Sequence, residues 1–148
     1  MILRVDGIPV PQGSKSAFPF KRKDGSIGVA MTDVSHRSSK GVTVKEWRAA
    51  IAASARVWMA LHGYPAPLDG PLLLEAIFYL PRPASASKRV TKPYRKPDCS
   101  KLIRAVEDAL TGIAYVDDSR ITFLVVRKRF AIGRAPGVEI SLKQDDTE

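Results

Sequence analysis

Apolar positions recur along this chain with two different periods, and the switches between them set out the elements. Residues 2–5 and 8–10 are short β-prone runs around Asp6-Gly7, followed by a turn-rich loop over 9–16. Residues 21–26, Lys-Arg-Lys-Asp-Gly-Ser, read as a hairpin tip in which Asp24-Gly25 supplies the positive φ of a tight turn. A helical period begins at Thr43: Val44, Trp47, Ile51, Ala55 and Trp58 form one apolar stripe reaching about Leu61. Thr43-Val-Lys-Glu46 is a capping box, and Gly63 and Pro65 end the helix. Both tryptophans share the stripe with aliphatic residues, which marks them as core rather than as a base-stacking platform. His62 falls where it can serve the helix dipole, and His36 falls on a solvated loop.

Residues 71–80 are short, bulky and apolar, the pattern of a largely buried strand. A second helix is predicted over 99–110 with Asp98 at its N-cap. Leu102, Ile103, Val106, Ala109 and Leu110 cover one face, and Ser100, Arg104, Glu107 and Thr111 line the opposite stripe. Gly112 closes it. A short connection leads to Asp117-Asp118, then a β-prone run over 120–132, a turn over 133–137, an alternating strand over 138–142 and an acidic tail over 144–148. The order βββ, α, β, α, ββ contains no repeat and no long linker. It predicts one α+β domain over residues 1–143, a single mixed sheet with two main helices packed on it.

Composition narrows the partners. The chain has 148 residues, 24 Lys+Arg against 15 Asp+Glu, net charge +9, and mean hydropathy −0.10. That is one ordinary globular domain's worth of core. One cysteine, Cys99, excludes a disulfide framework and a cysteine zinc site, and it reads as a small buried residue rather than a nucleophile. No apolar run approaches the ~20 residues of a membrane span, and no leader precedes the first strand, so a cytoplasmic protein without membrane contact is expected. The charge is unevenly placed. Residues 1–97 carry 16 basic and 6 acidic side chains, whereas residues 98–118 carry Asp98, Glu107, Asp108, Asp117 and Asp118 against only Lys101 and Arg104. Residues 82–97 hold six cations and no acid, and their prolines and small polar residues predict a mobile loop suited to phosphate contact.

Two readings of the acidic segment stand side by side. Carboxylates from a helix start and a strand start can share a hard divalent cation, with Arg104 and Lys101 neutralising charge on a phosphodiester. Alternatively, Asp98 is an ordinary cap, Asp117-Asp118 a turn, and Glu107 and Asp108 a solvated face.

Residues 96–121 read Lys-Pro-Asp-Cys-Ser-Lys-Leu-Ile-Arg-Ala-Val-Glu-Asp-Ala-Leu-Thr-Gly-Ile-Ala-Tyr-Val-Asp-Asp-Ser-Arg-Ile. This resembles the core motif of the RusA family of Holliday junction resolvases, Pro-Asp-x-Asp-Asn/Lys-Leu, a basic residue, Asp-Ala-Leu, then Asp-Asp before a strand. Residues 7–15, Gly-Ile-Pro-Val-Pro-Gln-Gly-Ser-Lys, resemble the opening of phage-type members. The resemblance implies a RusA-like fold and a homodimeric, Mg2+-dependent endonuclease, with Mn2+ able to substitute. It implies paired symmetric nicks in four-way DNA, in recombination and repair, and a phage or prophage origin.

Carried over by position, Asp98 falls on the first acidic metal position and Asp118 on the late one, with Asp117 its neighbour. Arg104 replaces a catalytic lysine, keeping the charge but not the capacity to give up a proton near neutral pH; Lys101 joins it in the candidate catalytic set. The second acidic position is Ser100, a neutral ligand at best. Glu107, seven residues on and about 20° around the helix, is the candidate replacement, although ~10 Å further along the axis. The expected phosphate-binding cations are Lys15, Lys21, Arg22 and Lys23 in the first basic loop, and Lys88, Arg89, Lys92, Arg95 and Lys96 in the second. Ser100 also defines a rival reading, a non-catalytic branched-DNA-binding protein that has lost its metal site; a third reading is a general structure-specific nuclease acting on branched DNA beyond four-way junctions.

Overall fold

In the computed structural model, residues 1–13, 15–33, 41–64 and 67–146 are described, the side chains of 15, 16 and 31–33 excepted. His36, Pro65, the Lys15 side chain and the last two residues of the tail lie outside that set.

Alternation along residues 72–80 places Leu72, Leu74, Ala76, Phe78 and Leu80 on one buried face. This is the central strand of a four-stranded sheet. In chain order the elements are β1 (Ile2–Asp6), β2 (Lys15–Lys21), β3 (Ile27–Asp33), α1 (Val44–Leu61), β4 (Leu72–Leu80), α2 (Cys99–Leu110), β5 (Ile121–Phe130) and β6 (Gly137–Gln144). The sheet order is β1-β6-β4-β5, with β4 and β5 parallel and the other pairs antiparallel. The architecture is therefore α+β with a mixed sheet, as the element order implied.

Parallel neighbours need a crossover, and α2 supplies it, so β4, α2 and β5 form one βαβ unit. Leu102, Ile103, Ala105, Val106, Ala109 and Leu110 of α2 are buried together with Trp47, Ile51 and Ala55 of α1. They cover the sheet face formed by Leu3, Val5, Val138, Ile140, Leu142 and the β4 row. α1 begins with both bonds of the capping box: the Glu46 amide donates to Thr43 Oγ1 at 3.2 Å, and the Thr43 amide donates to Glu46 Oε2 at 2.7 Å. It ends at His62, whose Nδ1 lies 2.8 Å from the Trp58 carbonyl and whose ring stacks on Trp58 at 4.0 Å. No described helix is long and apolar enough to cross a membrane.

Three expectations are corrected. Residues 8–10 form no strand: Pro9 has no amide to donate, and the segment instead runs across the core with Val10 fully buried and Gln12 N donating to the Lys101 carbonyl at 2.8 Å. The turn over 133–137 does not join two neighbouring strands, because β4 lies between β5 and β6. The hairpin of β2 and β3 does form around Asp24-Gly25, with Gly25 at φ 86°, but as a separate two-stranded sheet. Among the described residues it makes no substantial contact with the other elements.

Candidate active site

The site is organised by α2, which carries acidic groups at both ends. Asp98 stands at the N-cap, yet its side chain makes no capping hydrogen bond, so its exposed carboxylate is not used by the helix. Just upstream, Lys128 of β5 reaches across and donates from Nζ to the carbonyls of Arg95 (2.9 Å) and Pro97 (2.8 Å), fixing the entry into α2. The start of α2 therefore lies beside the far end of β5.

At the other end, Gly112 adopts φ 73°, and Tyr115 is buried with its hydroxyl donating to the Glu107 carbonyl at 3.2 Å. That turn leads the chain back to Asp117 and Asp118. Asp117 accepts from the Ser119 amide at 3.0 Å, and hydrogen bonds from Ser119 hold its carboxyl below the usual range. It is thus the turn-forming aspartate of the pair. Asp118, by contrast, is felt by Glu107.

Burial pushes the Glu107 carboxyl up, the negative charges of Asp118 and Asp108 push it further, and Arg104 pulls it back. The Tyr115 phenol is raised as well, first by burial and then by Glu107. Glu107, Asp118 and Arg104 consequently share one local field. Asp108 is committed elsewhere, in an ion pair with Arg48 of α1 at 3.5 Å.

The expected stripe of Ser100, Arg104, Glu107 and Thr111 is outside the core, with Glu107 half-buried. Lys101 is half-buried and its carbonyl holds the Gln12 loop. Cys99 is half-buried too, rather than fully enclosed.

One set of groups is not assembled. Asp98 precedes Glu107 by nine residues, ~14 Å along the helix axis, and the charge of Asp118 bears on Glu107. Seven steps of β5 between Ile121 and Lys128 span ~23 Å, so the strand end that holds the entry into α2 is remote from the strand start that follows Asp118. Accordingly, among the described residues no three His, Cys, Asp or Glu side chains converge closely enough to hold a metal ion. The described donors of a single chain do not fit a three-carboxylate metal site.

The cationic loop over 82–97 contains no helix or strand, as its prolines dictate, but it is folded back on itself rather than loose. Arg82 donates to the carbonyls of Val90 (2.9 Å) and Ser87 (2.8 Å) and lies over the Phe130 ring at 5.3 Å. Lys88, Arg89, Lys92, Arg95 and Lys96 are left exposed, and so are Lys21, Arg22 and Lys23 at the hairpin tip. Among the described residues none of these eight forms an ion pair.

Arg82 and Lys128 shape the site from outside the motif, and Tyr115 shapes it from within the motif's span without being one of its matched positions. Only Arg82 carried a local signal, as the cation that opens a proline-rich loop.

The raised Glu107 carboxyl has a stability consequence with a definite sign. A carboxyl raised in the folded state favours folding while protonated, and that contribution is lost as pH rises from the ordinary glutamate value through the raised one. Glu107→Gln removes the repelled charge while keeping the shape. Thermal melts are expected to show the variant ~1–3 °C more stable at pH 7, with the gain vanishing below about pH 4.

A model of the endodeoxyribonuclease RusA family matches residues 21–143, a span that contains α2, the Asp117-Asp118 turn and both expected cationic segments except Lys15. The uncharacterized protein YqaN of Bacillus subtilis (strain 168) is 30% identical over 87 residues, covering 52% of this chain and 60% of that protein. The chain thus spans less than two thirds of that relative's length.

Proposed function

The chain belongs to the RusA endodeoxyribonuclease family, and from that premise we propose that it is a divalent-metal-dependent nuclease of branched DNA, resolving four-way junctions by paired symmetric nicks. The observation that carries the proposal is the layout of α2. Its start presents an Asp98 without a side-chain capping bond, directly after a loop whose cations form no ion pair among the described residues, and its end presents the Glu107 and Asp118 pair beside Arg104. Phosphate-binding charge adjoins acidic charge in the manner that metal-assisted hydrolysis of a polyanion requires. Magnesium, or manganese in its place, would polarise the phosphodiester.

Because one chain separates its carboxylates, the proposal includes a homodimer in which Asp98 of one copy meets Asp118 of the other. A two-fold axis suits this arrangement, since an isologous contact that brings one such pair together brings both. The exposed apolar residues of the β2–β3 hairpin and of β5 offer surface for that contact: Phe18, Phe20, Ile27 and Val29, and Phe123 and Leu124. In this arrangement Asp118 takes precedence over Asp117, whose carboxylate is engaged by Ser119. Arg104 neutralises charge on the phosphate, and Lys101 lies one turn before it.

The deciding experiment presents the protein with a labelled four-way junction, a linear duplex and a single strand, with magnesium and with EDTA. Metal-dependent, symmetrically placed nicks confined to the junction are expected. Tight junction binding that ignores magnesium, without cleavage, overturns the nuclease proposal in favour of a binding protein that has lost its site at Ser100.

A further inference from the structure

Beneath the cationic loop lies a cleft of about 520 Å³. Leu80 and Phe130, register partners at the ends of β4 and β5, are part of its wall, with Ile8 on one side and Val90 and Pro97 on the other. Its lining includes three cations, Lys92, Arg95 and Lys96, and no carboxylate. Tyr94 also lines it; this ring is 71% exposed, and the Arg95 guanidinium lies 5.8 Å from its centre. Neither the acidic motif nor the phosphate-contact reading accounts for an apolar cavity here.

We propose that this cleft receives an unstacked nucleobase from the DNA strand whose phosphate lies at Asp98. The volume falls in the range of small-ligand sites, ~300–1,000 Å³, so it can accept a nucleotide. The apolar walls suit the faces of a base, the exposed Tyr94 ring offers it a stacking partner, and the three cations suit the phosphates on either side. Position adds to the case. Lys96 and Pro97 line the cleft and lead directly into Asp98, so an occupant would sit within a nucleotide or two of the scissile bond. Extruding a base costs stacking and pairing energy, least where the strand is already single. The cleft would then set preference for the base beside the cut, a role separate from the chemistry of the carboxylates.

The identification of the occupant as DNA rests on the nuclease reading, and the test keeps the two apart. Binding is measured in EDTA for a labelled ten-nucleotide thymidine strand and for an abasic strand of equal charge. The protein is expected to prefer the base-containing strand about tenfold. Tyr94→Ala, and separately Val90→Trp, which fills the cleft, should remove that preference while the salt dependence of binding stays unchanged. Equal affinity of the unaltered protein for the two strands overturns the proposal, as does a preference that survives both variants. Cleavage of a four-way junction is followed in parallel with magnesium. Base preference without cleavage supports the cleft and rejects the nuclease; cleavage without base preference rejects the cleft alone.

Discussion

A heterodimer of two inactive variants, Asp98→Asn in one subunit and Asp118→Asn in the other, is expected to nick a four-way junction where neither homodimer does. The reasoning follows from α2. The helix holds Asp98 at its start and Glu107 near its end, where the charge of Asp118 bears on Glu107. A single chain therefore keeps Asp98 apart from Asp118, and a composite site needs one from each copy.

Each homodimer of the variants lacks one acidic group at both sites, and cleavage should fall at least ~10²-fold. In the heterodimer one site carries both lesions and the other carries none. Two distinguishable tags and tandem purification isolate it, and about half the unaltered rate of first nicking should return. Paired resolution should not return, because only one site is intact. A heterodimer as inactive as its parents would show that each site is built within one chain, and it would remove the reason for expecting a dimer at the metal.

The second large effect concerns the hairpin. Phe18 and Phe20 share one face of β2, and Ile27 and Val29 lie on the opposite face of the pair, all four at least 43% exposed. The Phe20 ring packs so closely over Gly28 that an added Cβ there would lie 2.8 Å from it. Isolated two-stranded hairpins are marginal in water, and among the described residues this one makes no substantial contact with the other elements of its own chain. In the proposed dimer a second copy gripping both faces would account for its apolar composition.

Phe18→Asp combined with Val29→Asp places one charge on each face. By light scattering, the mass should drop from twice 16.2 kDa to 16.2 kDa, and junction cleavage should fall about 10²-fold along with the composite site. Far-ultraviolet dichroism should change little, since the core does not include the hairpin. An unchanged mass would reject the hairpin as the dimer contact. A fully active monomer would reject the composite site itself.

Local spacing alone determined a good deal. The stripe from Val44 to Trp58, the capping box at Thr43, both faces of α2, the tight turn at Asp24-Gly25 and the acidic motif over 96–121 all lie within a few residues of sequence. Helix and strand periods report burial at that range. The offset of Asp98 from Glu107 was also legible, because nine helical residues span ~14 Å. Whether the carboxylates converge was left open by the sequence, and among the described residues no three of them come together.

Strand order was decided only by the tertiary structure. Alternation in residues 138–142 says which face is buried but not which strand is the neighbour, and the parallel pairing of β4 with β5 excludes a simple hairpin. The same holds for the loop over 82–97. Its charge and prolines are visible in the sequence, but the grip of Arg82 on three of its carbonyls and the cleft beneath it depend on where Phe130 and Ile8 arrive from distant parts of the chain. Pairing and cavities are made by residues far apart in sequence, and no local period encodes them.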